Sequence, residues 1–177
     1  MKKAFVFLLT LILLALSVSA FAGVPARLNQ KMATRSGPGT RYSEELGTIP
    51  MSTSIEVINC VTTNGTPWCL VEFTRNGKLY RCYTGLKRID TSYDLPEGST
   101  SAVKDTVTQD TKVYYGPGKK YAVRTGTLGK GTEVRVYEVE GDWAMVDYVR
   151  KKVQQRGYIP VDCLKKTVAE VTLKIVI

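Results

Sequence analysis

The reactive side chains of this sequence are few. Four cysteines, Cys60, Cys69, Cys82 and Cys163, stand in a chain that has no histidine. Without imidazole, neither a Ser-His-Asp nor a Cys-His nucleophile can be assembled. The cysteines form no Cys-x-x-Cys pair that would hold zinc, so neither a structural metal nor a cofactor is expected. A serine–lysine nucleophile needs a Ser-x-x-Lys turn on a helix, and no helical stretch offers one. Gly116-Pro117-Gly118-Lys119 joins a Gly-x-Gly unit to a lysine, but no helix follows it to cradle a phosphate. Carboxylates are scattered, and no constellation singles out a pair. What remains is thiol pairing and non-covalent contact through aromatic and cationic side chains. That chemistry is a binder's, not an enzyme's.

Thiol pairing can be placed by the local turns. Asn64-Gly65 is a strong hairpin dipeptide, because both residues tolerate positive φ. A two-residue turn centred there pairs Thr63 with Thr66, Thr62 with Pro67, Val61 with Trp68 and Cys60 with Cys69. In such a ladder alternate pairs are non-hydrogen-bonded, and putting Thr62/Pro67 and Cys60/Cys69 at those sites costs Pro67 no ladder bond. Cα atoms paired at ~4.5 Å are within disulfide reach. The register favours a Cys60–Cys69 bridge, with Cys69–Cys82 across the next hairpin at Asn76-Gly77 as its competitor. Elimination leaves Cys82 to face Cys163, a pairing that no local feature supports.

The elements that position these residues are short strands, written twice. Ser54-Ile55-Glu56-Val57-Ile58 and Glu133-Val134-Arg135-Val136-Tyr137 alternate and are β-branched, as are Trp68 to Phe73 and Trp143 to Tyr148. No window sustains the helical period. The halves align from Gly37-Pro38-Gly39 onto Gly116-Pro117-Gly118, Tyr42 onto Tyr121 and Gly47-Thr48-Ile49 onto Gly126-Thr127-Leu128. After one gap of four residues, Trp68 falls on Trp143, Val71 on Val146, Phe73 on Tyr148, Tyr83 on Tyr158 and Ile89 on Leu164. Internal duplication is the reading. At the gap, Gly141-Asp142 turns the second hairpin and pairs Val139 with Ala144 where the first copy has its cysteines. Pro fixes φ and Gly accepts dihedrals other residues avoid, so each Gly-Pro-Gly reverses the chain and brings Tyr42 or Tyr121 back over a small core.

The termini and charge set the compartment. Met1-Lys2-Lys3, the apolar run Ala4 to Leu16 and small residues up to Ala22 have the layout of a secretory signal peptide, assigned to 1–22. Export makes paired cysteines the expectation. The formal net charge is +9, which draws an exported protein to anionic polymers; scattered charges and an extracytoplasmic site argue against nucleic acid. Asp90 to Val107 is polar, with Pro96, Gly98 and a Ser/Thr cluster, and reads as an exposed, semi-extended linker (91–107). The segment 167–177 alternates, with Val171, Leu173, Ile175 and Ile177 on one face, and is expected to pair with a sheet edge of its own chain or another's, opening a route to oligomers.

Arg35-Ser36-Gly37-Pro38-Gly39-Thr40, Gly47-Thr48-Ile49, Trp68 with Val71, and the closing Gly157-Tyr158-Ile159-Pro160-Val161-Asp162-Cys163-Leu164 together resemble the bacterial SH3-like (SH3b) domain, in tandem. The resemblance implies an all-β fold of two small SH3-like antiparallel barrels, at 27–90 and 108–166. It implies that Arg-Ser-Gly-Pro forms the counterpart of the RT loop and that each Trp opens a central strand. Two departures stand out: Cys82-Tyr83 where Gly-Trp is usual, and Tyr114-Tyr115 where Arg-Ser is usual. In that family such domains serve as targeting units holding peptidoglycan stem or cross-bridge peptides. The expected function is therefore that of a secreted binder of a wall polymer or surface peptide. Strand alternation sets Trp68 and Trp143 opposite the Val-bearing faces, partly outside, beside Tyr83 and Tyr158. The expected contact residues are Arg35, Trp68 and Tyr83 in the first copy, and Tyr115, Trp143 and Tyr158 in the second. The alternative is an envelope adaptor that donates its C-terminal strand to a partner sheet.

Overall fold

The computed structural model describes residues 23–166. The expected signal peptide (1–22) and C-terminal strand (167–177) lie outside the described residues. Two antiparallel sheets account for almost everything else. The first holds β1 (Val24–Leu28), β2 (Met32–Arg35), β3 (Glu44–Ile49), β4 (Ser54–Thr63), β5 (Thr66–Arg75), β6 (Lys78–Gly85) and β7 (Ile89–Asp90), in the order β3-β2-β6-β5-β4-β1-β7. The second holds β8 (Val103–Thr106), β9 (Thr111–Tyr114), β10 (Val123–Leu128), β11 (Glu133–Glu140), β12 (Trp143–Arg150) and β13 (Val153–Pro160), in the order β10-β9-β13-β12-β11-β8.

Alternation decides which face each strand buries. On β4, Ile55 and Val57 go in and Ser54 and Glu56 stay out; on β5, Cys69, Val71 and Phe73 go in. These join Leu28, Met32, Ile49, Cys82 and Ile89 in one core. Val107, Val113, Leu128, Val134, Val136, Ala144, Val146, Tyr148, Ile159, Val161 and Leu164 make its counterpart. Among the described residues only short connections add to the inner faces, such as the 3-10 turns that contribute Leu86 to the first core and Val161 to the second, yet Val57, Val71, Val136 and Val146 are fully buried. Each sheet must therefore curl over its own core as a partial barrel. A bulge helps it turn: the register slips between Val57 and Asn59 on β4, and between Val136 and Glu138 on β11.

The duplication holds down to single hydrogen bonds. Leu28 pairs with Ile89 in the first half, as Val107 does with Leu164 in the second. The Leu28 amide donates to Thr53 O at 3.1 Å, and the Val107 amide to Thr132 O at 3.0 Å.

The hairpin register is the one the turn residues specify. Thr63 faces Thr66, Thr62 faces Pro67, and Cys60 faces Cys69. Those two cysteines are bridged, with Cα atoms 4.0 Å apart, and Val139 faces Ala144 at the matching site. The pairing of Cys82 with Cys163 is not formed; both are free and buried. Cys82 faces Val71 on the neighbouring strand and points into the first core. Cys163 sits in the 3-10 turn Val161–Cys163 that closes the second half. Each thiol belongs to its own half, and burial pushes the Cys82 thiol far above its ordinary value. Nor is the linker free: the Cys60 amide donates to Pro96 O and the Gly98 amide to Cys60 O, both at 2.8 Å.

Replacing both Cys60 and Cys69 by alanine is expected to cost about 2–3 kcal/mol, the loop-closure value for so short a ring. Guanidinium unfolding of the variant measures it, and an unchanged midpoint would show that the bridge contributes nothing.

Candidate functional site

The outer face of the central hairpin is not a solvated face. On β5 the outward residues are Trp68, Leu70 and Glu72; on β12 they are Trp143, Met145 and Asp147. Leu70 and Met145 are buried, together with Ile58, Val61, Tyr83, Tyr137 and Tyr158, in a third apolar cluster drawn from both halves. The two sheets thus pack outer face to outer face.

The Gly-Pro-Gly loops lock this seam. A Cβ at Gly37 would collide with the Tyr42 ring, and one at Gly116 with the Tyr121 ring. Glycine is required there because each ring packs against the glycine of its own loop. Each phenol then crosses to the other half. Tyr42 OH donates to Asp147 Oδ2 and Tyr121 OH to Glu72 Oε2, both at 2.5 Å. The backbones meet too: the Ser43 amide donates to Gln154 O at 3.2 Å, and the Ala122 amide to Leu79 O at 3.0 Å. Tyr42 and Tyr121 cover the seam, therefore, and not the small core expected of them.

Two buried arginines complete the pattern. Arg156 is 3 % exposed; its Nε donates to Asp147 Oδ1 at 2.5 Å and its Nη1 to Tyr83 OH at 3.1 Å, and its guanidinium lies 3.8 Å from the Tyr137 ring centre. Its counterpart Arg81, 5 % exposed, donates to Glu72 at 2.7 Å and to Glu140 of the second half at 2.6 Å. The Arg81 guanidinium also lies over the Tyr121 and Tyr158 rings. Glu45 and Arg124, which are each other's counterparts in the alignment, pair with one another across the seam. A contact set that maps onto itself when the halves are exchanged is the signature of two-fold packing. Burial pushes the Tyr83 and Tyr158 phenols up, with the arginines opposing. Burial likewise pushes the Glu138 carboxyl up, with Glu140 adding to it.

This arrangement places the expected contact residues unevenly. Tyr83 is 1 % and Tyr158 3 % exposed, so both rings lie inside the seam and not on an open platform. The cause is the second half, which covers the face that alternation left outside. Arg35 is spent on its own loop: its guanidinium donates to Thr40 O, Tyr42 O and Glu44. Tyr115 stands edge-on to Tyr80 with Arg124 over its ring, again across the seam. Trp68 and Trp143 are half-buried at the margin of the mixed cluster, and Tyr114 meets Trp143 edge-on with ring centres 4.9 Å apart. The two tryptophans keep the partial exposure expected of them, and Arg35 and Tyr115 are likewise half-buried.

The residues missed by sequence are Arg81, Arg156, Glu72, Asp147 and the clefts. Leu70 and Met145 at outward positions were the available signal, as was a matched Arg beside a matched carboxylate in each copy. The clefts are themselves a matched pair. The first, about 910 Å³, runs along β1, β4 and β5, with Arg27 beside Glu56, Glu72 and Asp90. The second, about 920 Å³, runs along β8, β11 and β12 and carries Lys104, Arg135, Lys165 and Lys166, with Arg41 reaching in from the first half. Of its acids, Asp147 is committed to Arg156, and Asp105 accepts the amides of Thr106 and Lys166. Asp105, which keeps its charge, and Glu133 are left to oppose five cations. One inherited shape has acquired opposite charge.

Together, curled sheets and a closed seam define an all-β, internally duplicated protein whose halves are fastened outer face to outer face. No family model and no curated protein matches the chain. Among solved structures it is similar to NlpC1 from Trichomonas vaginalis, with 11% identity, a TM-score of 0.34, and 85% of this chain covering 48% of that one. It is similar also to NlpC2 from the same organism, with 11% identity, a TM-score of 0.36, and 86% covering 51%. The chain spans about half the length of those two proteins. Likeness at this level says nothing about what the chain binds or does.

Proposed function

We propose that this chain is an exported, non-catalytic binding protein of the SH3b type whose ligand is an anionic envelope polymer, with peptidoglycan peptides and their carboxylates as the leading class. The charge of the second cleft carries the reading. Five cationic side chains converge on a concave surface that in the first copy is net acidic. A chain of net charge +9 has cations everywhere, but the contrast between two equivalent clefts is not explained by overall charge. Focused positive potential in a concavity attracts an extended polyanion and weakens with salt. Trp143, half-buried with Tyr114 against it, offers a flat apolar contact for a ligand that extends past the cleft.

The test is retention on purified wall material. A Lys104→Glu/Arg135→Glu/Lys165→Glu variant is expected to bind at least ~10-fold more weakly, with a shallower salt dependence. Arg27→Glu in the first cleft is expected to leave binding unchanged. Equal retention of wild type and triple variant overturns the proposal. If instead Trp68→Ala/Trp143→Ala alone abolishes retention, the tryptophans and not the cleft hold the ligand.

A further inference from the structure

Among the described residues, two-residue turns close hairpins at Asn64-Gly65, Asn76-Gly77, Gly141-Asp142 and Lys151-Lys152. The first three contain the glycine or asparagine that suits the positive φ of such turns. The fourth does not. Lys151 and Lys152 take φ of 49° and 64°, where a long side chain crowds its own backbone.

The first copy shows that the hairpin itself does not demand this. Its matching turn, Asn76-Gly77, has φ of 51° and 72° with residues that accept them. The alignment sets Asn76 on Lys151, Gly77 on Lys152 and Lys78 on Val153. The first copy thus carries its cation at an ordinary strand position, whereas the second carries two on the strained turn. Overall charge does not ask for that placement; a ligand met at the turn does. Both lysines are exposed, and the ribbon beneath them is pinned. Arg150 donates to Thr125 O, as Arg75 donates to Leu46 O in the first half.

Back along β12 from this turn lies the second cleft. Asp147 and Val149, on the outward face of β12, line it. Val149 is 67 % exposed, so this face leaves the seam there. Lys104 stands directly opposite Arg135, and Arg135 opposite Asp147, which is already paired with Arg156. Like charges facing each other across strands are unfavourable, a cost that an anion between them removes. The matching pair in the first half, Pro25 with Glu56, has no such conflict. Lys151 follows Asp147 by four residues, which at ~3.3 Å per strand residue sets the turn ~13 Å from that row.

We infer, on the footing that the second cleft is the anion site, that its ligand is an extended chain bearing repeated carboxylates. The chain runs from the Lys104–Arg135 row over Val149 to the Lys151-Lys152 turn, which forms the far end of the site. An anion shorter than ~13 Å reaches one end only, whereas about four extended residues reach both.

Titration of the whole chain with diglutamate and with decaglutamate at low salt, followed by ¹⁵N–¹H spectra, tests this. Lys151→Asn/Lys152→Gly writes the first copy's turn into the second. It is expected to bind decaglutamate at least about threefold more weakly, and to bind diglutamate, read at the Arg135 signal, as wild type does. The same variant is expected to melt about 3 °C higher or more, because the strain is gone. Lys151→Gln/Lys152→Gln keeps the strain and should lose the same affinity without that gain in melting temperature. Undiminished decaglutamate binding in both turn variants, with the Lys104→Glu/Arg135→Glu/Lys165→Glu variant impaired, overturns the inference and leaves the cleft reading standing. Equal weakening of diglutamate at Arg135 also overturns it, since no chain is then needed to reach the turn. If the cleft variant binds decaglutamate as wild type does, the cleft reading itself is overturned, and the extended path with it.

Discussion

Arg156→Met is expected to lower the unfolding free energy by about 3–5 kcal/mol, the usual cost of leaving one member of a buried ion pair without the other. The Asp147 side chain is only 3 % exposed, and without the guanidinium its carboxylate keeps only Tyr42 and Gln154 as donors. Tyr83 OH loses its Nη1 donor at the same time. Lysine cannot substitute: the planar fork that spans Asp147, Tyr83 and Tyr42 has no counterpart in an ammonium. Arg156→Lys is therefore expected to recover only a minor part of the loss. Converting both partners, Arg156→Met with Asp147→Leu, should recover much more, because an apolar pair leaves no stranded charge. Arg81→Met is expected to cost less, since Glu140, one of its two carboxylates, has a side chain 31 % exposed and can be hydrated. Urea unfolding of these five proteins and of Asp147→Leu alone, read as a double-mutant cycle for the 156/147 pair, gives the numbers. A loss below about 1 kcal/mol for Arg156→Met would place that arginine in water, and the seam would be open in solution.

How far the sequence could be read depends on the range of the interaction involved. The Asn64-Gly65 register, the Cys60–Cys69 bridge and the inward set Cys69, Val71 and Phe73 follow from turn chemistry and period-two alternation, which act over a few residues. The Val139–Ala144 pair followed from the copy alignment. The fate of the outward set did not. Alternation shows that Trp68, Leu70 and Glu72 share a face, but not whether water or protein lies beyond it. Treating the halves as independent beads on an exposed linker put Tyr83 and Tyr158 on the surface; two-fold packing put them inside. The error was legible in principle. A solvated face has no need of Leu70 and Met145, nor of an arginine and a carboxylate placed alike in both copies. Cys82 with Cys163 failed for a related reason: elimination treats thiols as obliged to pair, whereas Cys82 serves its own core as a small apolar side chain. The clefts were invisible because each gathers residues from strands far apart in the chain.

If the seam is what these contacts make it, cutting the connection between the halves should not separate them. Ser99 to Ala102 is exposed and outside any strand, so a protease site inserted there can be cleaved without breaking the Pro96 and Gly98 bonds to Cys60. After cleavage the fragments are expected to co-elute at micromolar concentration and to melt in one transition with the halves still joined. The reason is energetic. Each half alone would expose Leu70 and Tyr83, or Met145, Tyr137 and Tyr158, and would leave Arg81 without Glu140 of the second half and Arg156 without the Tyr42 and Tyr83 oxygens of the first. Apolar burial of this kind contributes roughly 25 cal/mol per Å², and the cross-seam bonds add direction to it. Leu70→Asp/Met145→Asp places two carboxylates in the mixed cluster and is expected to separate the cleaved fragments, while the uncleaved variant stays folded at lower stability. Fragments that part on cleavage of the wild type would mean two autonomous barrels, and Tyr83 and Tyr158 would return to the surface as ligand contacts. Fragments that stay together make the two halves one cooperative unit. The second cleft, which borrows Arg41 from the first half, is then a property of that unit and not of either copy.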